Sequence, residues 1–251
     1  MLKHILFSTI TAISLLAGTS ACPTHYLNGQ APDIVDQKLA TKSKELCFEG
    51  FVVMYSGVSK TPIWSAEHLT KEKISAKIPR KDMFHPESKL SAGERAELSD
   101  YERTGYDRGH MTPSADMGSE ATQAESFSLA NMVPQDHRNN TVIWSAIEKE
   151  TRLLAAKEGD EYIITGPLFK TDKPKAIGKN NVLVPTHIYK VVYSPKQQKG
   201  AAYLCENTSA GNCKTITISE LEGMSGINYF PKLSKVQKDN KLGLVLPTAR
   251  K

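Results

Sequence analysis

Apolar positions recur along the chain in two rhythms. The run FEGFVVMYSG (48–57) is rich in β-forming residues and ends on a turn, which predicts a strand. PIWSAEHLT (62–70) predicts a second strand and a bend. Residues 71–105 are polar and punctuated by Pro79, Pro86 and Gly93, so they read as connections with a short helix near 92–99. Around 106–118 a short strand runs into a loop. The clearest helix is 139–159, where Val142, Ile143, Ala146, Ile147, Leu153 and Leu154 return at helical spacing. Asn139, Asn140 or Thr141 can cap its start, and Gly159 stops it. YIITG (162–166), 181–194 and 200–207 predict further strands, and 218–223 a short helix. Strands and helices follow one another without a βαβ rhythm. The fold class expected is therefore α+β, with a mixed, largely antiparallel sheet. No linker or repeat divides it.

The N-terminus has a different pattern. Lys3 and His4 precede an uncharged stretch from Ile5 to Gly18, and small residues lead up to Cys22. This is the layout of a secretory signal peptide, cleaved after Ala21. The stretch is short for a bilayer span, so no stable membrane insertion is expected. A lipoprotein anchored through Cys22 competes, although Thr19 stands where an aliphatic residue is usual. The expected organisation is a leader over 1–21 and one domain over 22–251, in a periplasmic or secreted protein.

The cysteines fit that expectation. There are four, an even set that an oxidising compartment would pair. Cys205 and Cys213 flank a short polar loop, which suggests a local staple and leaves Cys22 with Cys47. A zinc site is the alternative, but no C-x-x-C or paired-His spacing supports it. Net charge is +5, and removing Lys3 with the leader leaves +4, too mild to say much. Its distribution says more: 71–81 carries five cations against one acid, and 232–241 four against one. Each is a solvated face or a track for a polyanion.

Candidate chemistry gathers between 104 and 152. TGYDRGHM places Asp107, Arg108, Gly109 and His110 in four consecutive positions. On the long helix, Glu148 and Arg152 are four residues apart, and Asn140 lies near its start. One flank of that helix can thus present an amide, a carboxylate and a guanidinium to a neighbouring hairpin. DRGHMTPSAD followed by FSLANMVPQDHRNNTVIWSAIEKETR resembles the DNA/RNA non-specific endonucleases, a group that includes endonuclease G. The matching residues are Asp107 to His110, Asn131 to Gln135, Asn140, Trp144 and Glu148. Weaker similarity extends the match over roughly 48–235. Thr112 and Ile147 depart from the family pattern, away from the chemistry.

The resemblance implies a ββα-metal (His-Me) finger and a role for each residue. His110 would be the general base, since imidazole alone takes a proton readily near neutrality; in the family a carbonyl orients its ring. Asn140 would ligate Mg²⁺ directly through its amide oxygen, a hard neutral donor, and Glu148 would hold the ion through water. Mn²⁺ or another divalent ion can substitute. Arg108, Arg152 and Arg80 would bind phosphate and transition-state charge. Asp107 would serve the architecture, bonding backbone or an Arg, and Asn131 would support the site from behind. Trp144 is read as helix packing and His137 as a surface residue. The expected activity is exported, metal-dependent hydrolysis of DNA and RNA with little sequence preference, leaving 5′-phosphate ends. The competing reading is an exported nucleic-acid-binding protein without catalysis. Relatives of this kind often dimerise, which leaves a homodimer open.

Overall fold

The computed structural model describes residues 20–247, so the leader expected over 1–21 lies almost wholly outside the described residues. The strands are β1 (Asp33–Ile34), β2 (Ser43–Cys47), β3 (Val52–Ser56), β4 (Thr61–Thr70), β5 (Tyr106–His110), β6 (Met132–Asp136), β7 (Asp160–Leu168), β8 (Ala176–Ile177), β9 (Val182–Leu183), β10 (His187–Ser194), β11 (Lys199–Glu206), β12 (Cys213–Ile216) and β13 (Ile227–Asn228). The helices are α1 (Lys71–Ser75), α2 (Glu120–Ser126), α3 (Ser145–Glu158), α4 (Ile218–Ser225) and α5 (Lys235–Asp239).

A seven-stranded sheet ordered β12-β11-β10-β7-β4-β3-β2 forms the frame. Every neighbouring pair in it is antiparallel. This is the α+β architecture that the alternating strands and helices imply. Because side chains alternate across a strand, the register sorts residues onto two faces. Val52, Ala66, Ile164, Val191 and Ala202 share one face, which α4, the segment around Tyr26 and the stretch Ile227–Phe230 cover. Val53, Ser65, Thr165, Lys190 and Tyr203 share the other. Over this second face lie α3, Met111 and Val133, so the β5–β6 pair and α3 stand on it as one unit.

Several elements depart from the sequence expectation, each for a local reason. The strand expected over 181–194 is two strands: Pro185 lacks a ladder donor, so β9 pairs with β8 outside the sheet and only β10 joins it. Residues 92–99 form two short 3₁₀ turns, Ala92–Glu94 and Leu98–Asp100. The edge strands β2 and β12 and the pairing strand β6 carry few alternating apolar positions, and the pattern missed them. Both disulfides pair as the spacing suggested, Cys22 with Cys47 and Cys205 with Cys213. Among the described residues no helix is long and apolar enough to cross a membrane.

Candidate active site

The helix carrying Asn140 starts earlier than its apolar pattern suggests. It is helical from His137, and Asp136 caps it by accepting the Asn139 N–H at 3.0 Å. The expected Asn or Thr cap is therefore replaced by Asp136. That leaves Asn140 free for another role. Its first turns, Asn139–Trp144, are π-helical, an irregularity often found at functional sites. Gly159 ends α3 with φ 111°, a conformation few other residues adopt.

Gly109 explains the third letter of the DRGH box. β5 and β6 pair with Gly109 opposite Val133 and Asp107 opposite Gln135. A Cβ at Gly109 would overlap the Gln135 amide and lie 2.7 Å from the Gln135 Cβ. Gln135 in turn donates to Asn139 Oδ1 at 2.7 Å, and Asn139 donates to the Glu206 carbonyl at 2.8 Å. The hairpin, the π turn and the disulfide-closed loop after β11 are thus locked together.

His110 ends β5, buried, between two rings: Phe127 meets it edge-on at 4.9 Å and Phe84 lies at 5.7 Å. Its Nε2 has no hydrogen-bond partner. Asn131 fastens the chain just beyond it. Its amide accepts from Thr112 N–H at 3.0 Å and donates to the Thr112 carbonyl at 2.8 Å. Burial pushes the His110 pKa down to about 3, aided by the Arg80 charge and opposed by Asp82. The imidazole is therefore neutral at pH 7 and able to accept a proton.

A cavity of about 550 Å³ brings most of the candidates together: Arg80, Asp107, Arg108, His110, Asn140 and Glu148 all line it. Asp107 Oδ2 accepts the Asn140 amide N–H at 2.9 Å and faces His137 Nδ1 at 3.0 Å. It bonds neither backbone nor an Arg, as the sequence had suggested; it orients the amide. With its nitrogen so engaged, Asn140 keeps its Oδ1 free for a cation. That oxygen, with Glu148 in the same cavity, is a hard-donor set suited to a hydrated divalent ion. Burial raises the Glu148 pKa to about 7; Lys190, Arg152 and Arg80 oppose the rise, and Asp116 adds to it.

The arginines divide. Arg108 packs its guanidinium 4.3 Å from the Phe84 ring centre and lines the cavity. Arg80 lines it too, 5.4 Å from the Phe127 ring centre, with Nε bonded to Asp82 at 2.6 Å. Arg152 is not among the lining residues: its Nη1 donates to buried Asp116 at 2.8 Å, an ion pair that ties α3 to the 114–116 turn. Trp144 is a buried packing residue, as expected. The sequence reading missed Phe84 and Phe127, since an aromatic clamp around a His leaves no fixed spacing. It also missed Gln135 as the reason for Gly109.

Comparison with known proteins identifies the family. A family model for DNA/RNA non-specific endonuclease matches residues 30–236. Mitochondrial nuclease EXOG of Danio rerio is 34% identical over 211 residues, which is 76% of this chain and 62% of that protein. Mitochondrial endonuclease G of Homo sapiens is 33% identical over 204 residues, 74% of this chain and 69% of that one. The chain thus spans well under the full length of the EXOG proteins it matches. The solved structure of an EndoG/EndoGI complex superimposes with a TM-score of 0.69 at 27% identity, covering 77% of this chain and 88% of that one. The expectation of a periplasmic or secreted protein is overturned here. The EXOG and endonuclease G relatives named above are mitochondrial nucleases, not exported ones.

Proposed function

Because the chain belongs to the DNA/RNA non-specific endonuclease family, whose members are divalent-metal-dependent nucleases, we propose that it hydrolyses phosphodiester bonds of DNA and RNA, with residues 22–251 as one catalytic domain. The observation that carries this reading is the sharing of one cavity by His110, Asn140, Glu148, Arg108 and Arg80.

His110 takes a proton from the attacking water as the new P–O bond forms and the bond to the 3′-oxygen breaks, leaving a 5′-phosphate. The incoming phosphodiester brings negative charge to a buried imidazole and raises its proton affinity when it is needed. Arg108 and Arg80 hold the phosphate oxygens and the charge that grows on them. Asn140 Oδ1 directly, and Glu148 through water, would hold Mg²⁺, which when bound supplies Lewis-acid stabilisation of the departing oxygen. Asp107 keeps the Asn140 amide turned so that its oxygen faces the cavity. The contacts offered are to phosphate, which carries no sequence information.

The test is a parallel digest of circular plasmid, single-stranded DNA and RNA with Mg²⁺ and with a chelator. Cutting of all three with metal, its loss with chelator, and a fall of about 10²–10⁴-fold for His110→Ala are expected. Undiminished cutting by His110→Ala would end the assignment.

A further inference from the structure

Glu67 on β4 is 1% exposed, and neither carboxyl oxygen meets a donor. The acid beside it, Asp116, is also 1% exposed. Two carboxylates cannot bond each other; a proton on one of them makes the contact a hydrogen bond. Asp116 Oδ1 accepts from the Arg152 guanidinium at 2.8 Å, so the proton is assigned to Glu67. Burial and the Asp116 charge both push the Glu67 pKa well up, against the opposing charges of Lys190 on β10 and Lys73 on α1. Neither lysine bonds Glu67: Lys190 Nζ donates to Thr165 at 2.8 Å, and Lys73 Nζ to the His68 carbonyl at 2.8 Å.

Position gives this pair a role. Asp116 closes the short turn whose Ser114 and Ala115 form one wall of the cavity. Arg152 is one helical turn beyond Glu148, which lines the same cavity. Resting on the nuclease reading, we propose that Glu67 and Asp116 are positioning residues: a buried carboxyl pair that shares one proton, anchors Arg152 to the sheet and so fixes the distance between the Ser114–Ala115 wall and the Glu148 helix. Glu67 donates, Asp116 accepts on one side from it and on the other from Arg152. One negative charge then faces one guanidinium.

Glu67→Gln and Glu67→Leu, with Asp116→Asn, separate this from a merely structural role. Gln donates an amide N–H to Asp116 as the protonated acid does, so Glu67→Gln is expected to keep kcat within about threefold of the wild type. Glu67→Leu fills the space without a donor. It is expected to lower kcat about tenfold with KM held and with melting temperature unchanged or raised, because a buried acid is gone. Asp116→Asn is expected to lose at least as much. An equal loss of kcat in Glu67→Gln and Glu67→Leu would overturn the proposal, since it would mean that Glu67 acts as an anion. Carboxyl-carbon NMR of ¹³C-glutamate-labelled protein gives a readout without activity. The signal missing from Glu67→Gln should be that of a neutral acid at pH 7 in the wild type, and an ionised signal there would refute the shared proton. If the wild type cuts no nucleic acid, the nuclease reading fails, while the NMR result still decides the acid pair.

Discussion

The two faces of the central sheet are built from different materials. The face under α4 is apolar at its centre, with Val52, Trp64, Ala66, Ile164, Tyr189, Val191 and Leu204 in one cluster. The face under α3 mixes apolar residues with buried Glu67, Glu161, Thr165 and Lys190. Buried ionisable groups cost stability unless paired, and apolar burial supplies it. The first face therefore carries the fold, and the second trades part of that stability for a fixed site. Substituting one residue from each should show the division most sharply. Trp64→Ala is expected to cost about 3–5 kcal/mol of stability while leaving kcat per folded molecule near the wild type. His110→Ala, on the finger side, should do the reverse, removing about 10²–10⁴-fold of activity with little change in the unfolding midpoint. Chemical denaturation and single-turnover cleavage measure the two; a Trp64→Ala protein that is fully folded yet inactive would break the comparison.

The next effect tests how the finger side holds Asn140, the proposed metal ligand. Asp107 accepts the Asn140 amide, so Asp107→Ala frees that amide to rotate. Activity is expected to fall about 10–100-fold, and the Mg²⁺ concentration giving half-maximal rate to rise. Titration of cleavage rate against metal reads both. A loss that excess metal does not touch would show that Asp107 acts some other way.

Much of the finger side was legible in the sequence, because its chemistry depends on residue types at fixed spacing. His110, Asn140 and Glu148 fall in one cavity with Arg108 and Arg80, as the ordered motif implied. The ion pair of Arg152 was not legible, because a charge four residues from Glu148 says which flank of the helix it occupies, not what it meets across the interface. Its partner Asp116 lies thirty-six residues away in sequence. Glu67 was invisible for the same reason: an acid inside a strand pattern reads as a solvent-facing position until the fold covers it. The strands β2 and β12 escaped because edge strands bury only one side and show little alternation. The location was misread because an N-terminal apolar stretch with small residues after it does not by itself name a compartment.

A smaller effect is expected from the loop that backs the π turn. The Cys205–Cys213 disulfide closes it, Arg138 donates to the Ser209 carbonyl at 2.6 Å, and Asn207 accepts the Asp136 N–H at 2.9 Å. Replacing both cysteines with serine removes the closure but leaves these hydrogen bonds. A fall in kcat of roughly three- to tenfold is expected, with a loss of about 2 kcal/mol in stability. Equal activity in the two proteins at a temperature where both are folded would show that the hydrogen bonds alone hold Asn139 and Asn140.

Glu161 gives the smallest expected effect and isolates the cost of burying an acid from its use. It lies on the same face as Glu67, but beside Glu158 and Asp160 at the far end of α3, and it does not line the cavity. Burial, with those two neighbouring acids, raises its pKa to about 8, and the Ser194 hydroxyl opposes the rise. An acid whose folded pKa lies above its unfolded value stabilises the fold fully below the unfolded value. That stabilisation is lost as pH rises through the folded one. The window therefore runs from about 4.5 to about 8. Glu161→Gln stays neutral throughout, so it should leave stability unchanged at pH 4. At pH 8 it should raise stability by about 1–2 kcal/mol, a few degrees in Tm, with kcat unaltered. Melting curves across that range check the sign. A gain at pH 4 as large as at pH 8 would mean that packing and not the proton is responsible, and a fall in kcat would mean that this end of the face also serves the site.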